Sequence, residues 1–292
     1  MFDLSTLIAL AGAFGRHLPE VKRVAEYLTH YGYIDPRFLA VGITIHERIE
    51  HIKRALALFQ SIAGVNANGE IDVQTLAKMT EPRCGCTDAQ RSLVSIEEAR
   101  WRKNRLTYFV AAYVRGISQS DQDDLIRLAW NDWQAAADVV LTPVMSQQGA
   151  DIVISTGRGP SQGMDGGGGT LAWAFLPNGS DQQLLMRFDI DERWVAGNPQ
   201  GGILFRNVAC HEFGHLLGLD HSRTSSALMA PFYSAIIISP QANDDIPRIR
   251  QLYGAAQTPV PPPPTPAPPV GTLAVKIEAA GYKPTTVELQ KV

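Results

Sequence analysis

Within residues 211–221, HEFGHLLGLDH, three histidines and one glutamate stand at spacings suited to a bound metal. His211 and His215 are four apart, so on a helix both imidazoles leave one face and can share one Zn²⁺. Glu212 follows the first of them and can reach a water at the metal without ligating it. Gly218 permits the left-handed backbone that ends a helix, which swings His221 back as the third ligand. Three protein ligands leave a fourth position open, the catalytic arrangement of zinc; a structural site closes with a fourth Cys or His. The chemistry implied is hydrolysis, with water acidified toward a pKa of about 7 by the cation and its proton taken by Glu212. Met229, downstream of His221 in an apolar run, sits where a Met-turn would floor the three rings.

These residues need elements to hold them. A helix is expected over roughly 204–217, carrying both paired histidines, and a short one over 246–252 stopping at Gly254. Short β-prone runs lie at 106–114, 139–145, 151–155, 171–176 and 184–190, separated by Gly, Pro, Asn and Asp. Between the first two, Ser120 with Asp123 reads as the capping box of a helix whose buried face is Leu125, Leu128, Ala129 and Ala136. Mixed strands and helices make this an α+β domain, over 101–254. Ahead of it, residues 19–88 read as a small all-α domain: Val21, Val24 and Leu28 repeat at helical spacing, as do Ile45, Ile49, Ile52, Leu56 and Phe59. Val73, Leu76 and Met79 give one more short face.

Residues 1–18 are apolar, but with Asp3 and no Lys or Arg ahead of the run they make a poor secretory leader. Residues 255–270 form a Pro-rich linker, read as a semi-rigid polyproline spacer. Residues 271–292 form a short β-like tail that would fit a truncated domain and is too small for its own core. With 26 Lys and Arg against 29 Asp and Glu, the net charge of −3 argues against nucleic acid as partner. No apolar run approaches the roughly 18 residues that cross a bilayer.

The zinc segment, the Met-turn and Pro231-Phe232-Tyr233 together resemble the matrixins, the matrix-metalloproteinase family of metzincins. Trp101 to Tyr108 resembles the first strand of the mature enzyme, and Asp244 to Gly254 its closing helix. The resemblance implies a zincin-like catalytic domain, a mixed twisted sheet with an active-site helix, preceded by a propeptide similar to peptidoglycan-binding helical domains. It also implies that Pro231, Phe232 and Tyr233 line the pocket for the side chain after the scissile bond, and that substrate lies along the strand at Leu171 and Ala172. Residues 82–88, PRCGCTD, resemble the family's cysteine switch. By that resemblance Cys84 ligates the zinc and holds the enzyme latent, Arg83 pairs with Asp88, and a protease cutting between Asp88 and Trp101 activates it. A zinc-bound thiol is deprotonated and would displace the water that Glu212 needs.

The family's loop and strand end match at Asp165 to Thr170 and at Phe188 to Glu192. They imply a Ca²⁺ cage from the carboxylates of Asp165, Asp189 and Glu192 and carbonyls near Gly166, Gly168 and Thr170. The family's second, structural zinc is expected to be absent, because Trp173 and Arg187 stand at two of its histidine positions. Cys86 and Cys210 read as inert packing, or, for Cys86, as a rival to Cys84 for zinc or its partner in oxidation. The expected molecule is therefore a monomeric, extracellular, latent zinc endopeptidase acting on proteins or peptides. The alternative is a noncatalytic zinc-containing module that binds a cell wall or polymer.

Overall fold

The computed structural model describes residues 2–35, 37, 42–88, 95 and 99–257, and the strands at 273–277 and 285–289. The chain divides into two units, 1–256 and 257–292.

The helical layer begins with α1 (Leu4–Phe14), capped by Asp3, which accepts from the Thr6 N–H, and closed by Gly15 at φ 58°. Then come α2 (Leu18–His30), α3 (Ile45–Ala63) and α4 (Val73–Lys78). Thr44 accepts from the N–H of Glu47, whose carboxylate accepts from the Thr44 N–H at 2.8 Å, a reciprocal cap on α3. Leu10, Val24, Leu28, Ile52, Leu56 and Phe59 meet in one core. Leu7 and Phe14 of α1 join them, so residues set apart on sequence grounds as a leader-like segment pack into this layer. Their spacing of three and four is a helical face. Ile45 and Val73, expected on buried faces, are exposed, because each stands at the first position of its helix.

The α+β part contains, in chain order, β1 (Arg83–Cys84), β2 (Arg105–Val110), α5 (Gln119–Ala136), β3 (Val140–Pro143), β4 (Ile152–Gly157), β5 (Thr170–Ala174) and β6 (Leu184–Asp189). A short parallel pair, β7 (Trp194–Val195) and β8 (Ile203–Leu204), leads into α6 (Phe205–Leu216), and α7 (Asp245–Tyr253) closes the part. The large sheet has the order β1-β5-β6-β4-β2-β3. Strands β6, β4, β2 and β3 run parallel, while β5 runs antiparallel to β6, with Ala172 opposite Phe188. The outer edge of β5 is taken by β1, which belongs to the chain leaving the helical layer.

Helices α5 and α6 pack on this sheet. Every residue of α6 except Arg206 is buried, which makes it an interior helix rather than an amphipathic one. Trp130 of α5 meets Phe213 of α6 edge-on at 5.3 Å, and the Trp133 indole donates to the Cys210 carbonyl at 2.8 Å.

Helix α5 starts two residues earlier than the sequence suggested. Ser118, not Ser120, accepts from the N–H three residues on, at Asp121. Both serines satisfy the same Ser-x-x-Asp pattern. The earlier start wins because it buries Gln122, whose side chain accepts from Val114 N–H and donates to the Val114 and Ile117 carbonyls. The buried face is then Ile126, Ala129, Trp130, Trp133 and Ala136, leaving Leu128 exposed and Leu125 at the margin.

In the second unit, β9 (Leu273–Ile277) and β10 (Thr285–Leu289) form an antiparallel pair with Val275 opposite Val287. The polyproline run lies outside the described residues, as does Gly281. Among the described residues, no helix is long and apolar enough to cross a membrane. Replacing Ser118 by Ala is expected to cost about 1 kcal/mol in urea unfolding, and Ser120→Ala a few tenths at most; equal effects would return the cap to Ser120.

Candidate metal centre

Helix α6 presents His211 and His215 on one face. Their Nε2 atoms are 3.2 Å apart, close to the roughly 3.3 Å expected for two nitrogens bound tetrahedrally to one zinc. His221 arrives from the turn after α6. The Nε2 atoms of all three rings and the Sγ of Cys84 lie within 4.8 Å of one another, and all four residues are buried. Each Nδ1 has an acceptor: the Leu228 carbonyl at 2.7 Å for His211, the Leu219 carbonyl at 2.7 Å for His215, and the Asp88 carboxylate at 2.7 Å for His221. A carbonyl can only accept, so the Nδ1 of His211 and of His215 carries the proton. Their Nε2 atoms then face one another at a distance that a shared cation would bridge. His221 Nε2 is buried with no hydrogen-bond partner among the described residues. Three imidazoles with their Nε2 atoms turned inward and one thiol form a donor set that fits Zn²⁺.

Glu212 points beside this cluster. It is fully buried, and neither carboxylate oxygen has a hydrogen-bond partner among the described residues. Burial pushes its pKa up to about 8, with the nearby Cys86 sulfur adding to the shift. A carboxyl held this way is suited to taking and returning a proton near neutrality.

Local structure explains how the rings are aimed. Gly218 has φ 103°, and a Cβ there would collide with the Ala99 carbonyl. The turn it makes returns Leu219 so that its N–H reaches the Gly214 carbonyl while its own carbonyl meets His215. Gly214 matters for a different reason: a Cβ on it would strike Met229 Sδ. The methionine therefore sits directly against the helix backbone beneath the histidines, fully buried. The buried Asp245 of α7 accepts from the N–H groups of Leu228, Met229 and Gln241 at 2.8, 3.1 and 2.8 Å. It thereby fixes both the Met229 turn and the carbonyl that orients His211. Sequence reading missed Asp245, because nothing local separates it from the adjacent Asp244.

The segment from Pro82 to Asp88 runs through the cleft beside these ligands. Its backbone is bonded on both sides: Arg83 N–H to Gly169 O and Gly85 N–H to Ala172 O on β5, Cys84 N–H to Pro231 O and Tyr233 N–H to Pro82 O opposite. Cys84 Sγ lies 3.4 Å from His215 Nε2. Arg83 and Asp88, expected to pair, do so at 2.6 Å with both side chains 1% exposed. The guanidinium stacks over the Tyr31 ring at 3.6 Å and donates to the Tyr27 hydroxyl, while the Tyr33 hydroxyl donates to Asp88. Burial alone would raise the Asp88 pKa, but the bonds from His221 and Arg83 outweigh it and hold the carboxyl well below the usual range. The three tyrosines, and the reach of Asp88 to His221, were not foreseen.

Leu171, Pro231, Phe232 and Tyr233 line a pocket that also contains His211 and Glu212; Ala172 lies in β5, bonded to Gly85. The Asn207 amide in the same wall donates to the Ser234, Ala235 and Ile237 carbonyls at 3.2–3.3 Å, holding the loop beyond Tyr233. Its signal was a lone amide inside the apolar run of α6. Around the Gly-rich loop Asp165, Asp189 and Glu192 accept from the N–H groups of Thr170, Gly166 and Gly168 respectively, but their oxygens do not all lie within 4.8 Å of one another. Burial raises the Glu192 pKa, and the charges of Asp189 and Asp165 add to that. Arg187 lies 5.3 Å from the centre of the Trp173 ring, whose indole donates to Gln162 O. Cys210 is buried between α5 and α6, against the Ala129 carbonyl at 3.4 Å.

A matrixin family profile matches residues 100–254, more than half of the chain. The chain belongs to the matrixin family. It is 36% identical to the hatching enzyme of Paracentrotus lividus, over 82% of this chain and 40% of that protein. With matrix metalloproteinase-16 of Homo sapiens it shares 32% identity over 92% of this chain and 47% of the relative. With interstitial collagenase of Sus scrofa the figures are 34%, 90% and 57%. The chain thus spans about half the length of the curated relatives it matches. The match in family and the mixed α/β architecture agree with the fold class expected from the sequence.

Asp245→Ala would leave three N–H groups without their acceptor, costing on the order of 3 kcal/mol. Thermal unfolding is expected to fall by about 6–12 °C; a shift under about 2 °C would mean the Met229 turn holds without it.

Proposed function

We propose that the chain is a latent zinc-dependent endopeptidase that hydrolyses protein or peptide substrates, held shut by its own Cys84. The observation that carries this reading is the convergence of three lone-pair-bearing imidazoles and one thiol beside a buried, unbonded carboxyl. His211, His215 and His221 would hold zinc, with Cys84 as fourth ligand in the latent state. Zinc bound there would polarise the scissile carbonyl, acidify water and stabilise the developing oxyanion.

This chain's own residues do the rest. Glu212 takes the proton of the attacking water and delivers it to the leaving amine. A peptide would add as a strand along β5 at Leu171 and Ala172, with the side chain after the scissile bond against Pro231, Phe232 and Tyr233. The Ala172 carbonyl now accepts from Gly85 N–H, and Pro231 O and Tyr233 N–H are bonded to Cys84 and Pro82, so plug and substrate would compete for one cleft. Met229 acts as the packed floor. Cutting the chain between 88 and 101 would let the helical layer, residues up to 88, leave the domain at 101–254. Matrixin membership supports an extracellular setting and substrates of protein character.

Asp165, Asp189 and Glu192, with carbonyls near Gly166, Gly168 and Thr170, are proposed to hold Ca²⁺. Three carboxylates border this loop; burial raises Glu192, and the charges of Asp189 and Asp165 that add to the shift are what a cation would relieve.

Two measurements test the reading. Cleavage of a quenched fluorescent peptide by the zinc-loaded chain should be near zero, then rise at least tenfold after a thiol-modifying mercurial. Glu212→Ala and a chelator should each abolish it, with zinc retained in the variant. Silence after thiol modification, with zinc bound, would instead favour a noncatalytic binding module. For calcium, millimolar addition should raise the unfolding temperature of the wild type by several degrees. Glu192→Gln should remove most of that rise; an unchanged rise would place the ion elsewhere.

A further inference from the structure

The cleft contains a second thiol that neither latency nor hydrolysis uses. Cys86 Sγ lies within 4.8 Å of Cys84 Sγ, and both lie within that distance of His215 Nε2 and a Glu212 oxygen. The Cys86 N–H donates to Cys84 Sγ at 3.3 Å, and the Cys86 thiol donates to Ala174 O, at the end of β5, at 3.2 Å. Cys84 is buried, whereas Cys86 is partly exposed, so a reagent in solution meets Cys86 first. Between them stands Gly85, where a Cβ would crowd Thr170 Cγ2 at 2.6 Å. The ladder of β1 with β5 is already irregular between Arg83 and Cys84.

We propose that Cys84 and Cys86 form a redox pair whose closure to a disulfide withdraws the Cys84 thiolate and opens the site without cutting the chain. This rests on the reading that Cys84 holds the site shut. Two α-carbons two residues apart span at most about 7 Å, the upper edge of what a disulfide bridges. The glycine between them and the irregular ladder allow the small contraction needed. The oxidant is a low-molecular-weight disulfide. The Cys86 thiolate attacks one of its sulfurs, forming a mixed disulfide and expelling the first thiolate. Cys84 sulfur then attacks the Cys86 sulfur and expels the second. The Cys84 thiolate and the Cys86 thiol are oxidised by two electrons and one small disulfide is reduced to two thiols, one proton coming from Cys86 and the other from solvent. A sulfur in a disulfide has lost the anionic charge that made it a zinc ligand. Closure also pulls Cys84 toward Cys86 and strains the β1–β5 bonds that hold the plug in the cleft. Cys210 takes no part, being buried between two helices with its thiol on Ala129 O.

The test exposes the full zinc-loaded chain to oxidised glutathione, then maps disulfides by mass spectrometry after alkylation and follows peptide cleavage in parallel. A Cys84–Cys86 crosslink, seen as the loss of two hydrogens on one peptide, should accompany at least a tenfold rise in cleavage. Dithiothreitol should reverse both. Cys86→Ser should form no crosslink and stay within about twofold of its untreated rate. Mapping that finds only free thiols or glutathione adducts would overturn the proposal, as would a Cys86→Ser variant activated like the wild type. The double variant Cys84→Ser, Cys86→Ser separates the two ideas. If it cleaves peptide without oxidant while the wild type forms no crosslink, latency stands and the redox pair falls. If it is silent while the wild type does crosslink, latency itself falls and takes control by the pair with it.

Discussion

Three imidazoles can aim their Nε2 lone pairs at one point only if the opposite nitrogen of each ring is held. Here each Nδ1 is held by a different stretch of chain: Leu228 O, Leu219 O and the Asp88 carboxylate. Most of the architecture can be traced to those three anchors. Leu228 is positioned because Asp245 gathers the backbone of the Met229 turn. Leu219 is positioned because Gly218 turns where a side chain would meet Ala99. Asp88 is positioned because Arg83 and Tyr33 bind its carboxylate, while Tyr27 of α2 and Tyr31 just after it hold Arg83. Acceptors that hold the far nitrogen of a ring in this way set its tautomer and hence which nitrogen can ligate.

The ligand cluster was legible because the rule behind it is local. A spacing of four puts two rings on one helical face, and a glycine three residues on reverses the chain, whatever surrounds them. Strand positions were legible for a similar reason, since short β-prone runs bounded by Gly, Pro and Asn leave few alternatives. The start of α5 was less so. Ser118 and Ser120 carry the same capping pattern, and the choice was made by where Gln122 could satisfy its amide, a tertiary fact. Likewise the tryptophans, not the leucines, define the buried face of α5, because α6 offers them a carbonyl and a phenylalanine ring.

Residues that act across long separations stayed hidden. Asp245, Asn207 and Tyr33 work by reaching backbone or carboxylate partners far along the chain, and no periodicity marks them. The segment 1–18 was hidden for the opposite reason: one apolar run satisfies two patterns, an export leader and a helical face. In the structure Leu7, Leu10 and Phe14 pack with residues of α2 and α3 in one core. Trp173 and Arg187 gave a partial signal. Their identities argued against histidine ligation, but their stacking on one another needed coordinates.

Phe232 belongs to two surfaces at once. It lines the pocket beside His211 and Glu212, yet its ring also packs on the helical core, 6.3 Å from Phe59, with Lys78 and Arg83 each 5.0 Å from its centre. On the proposed reading, opening the cleft would be a trade of solvent exposure as well as of a sulfur ligand. A helical layer that departed would strip an aromatic face of its cover, and an apolar side chain arriving in the pocket would restore it. Wetting and drying of that one ring would couple the two events, so that affinity for an incoming chain and affinity for the departing layer would draw on the same aromatic surface.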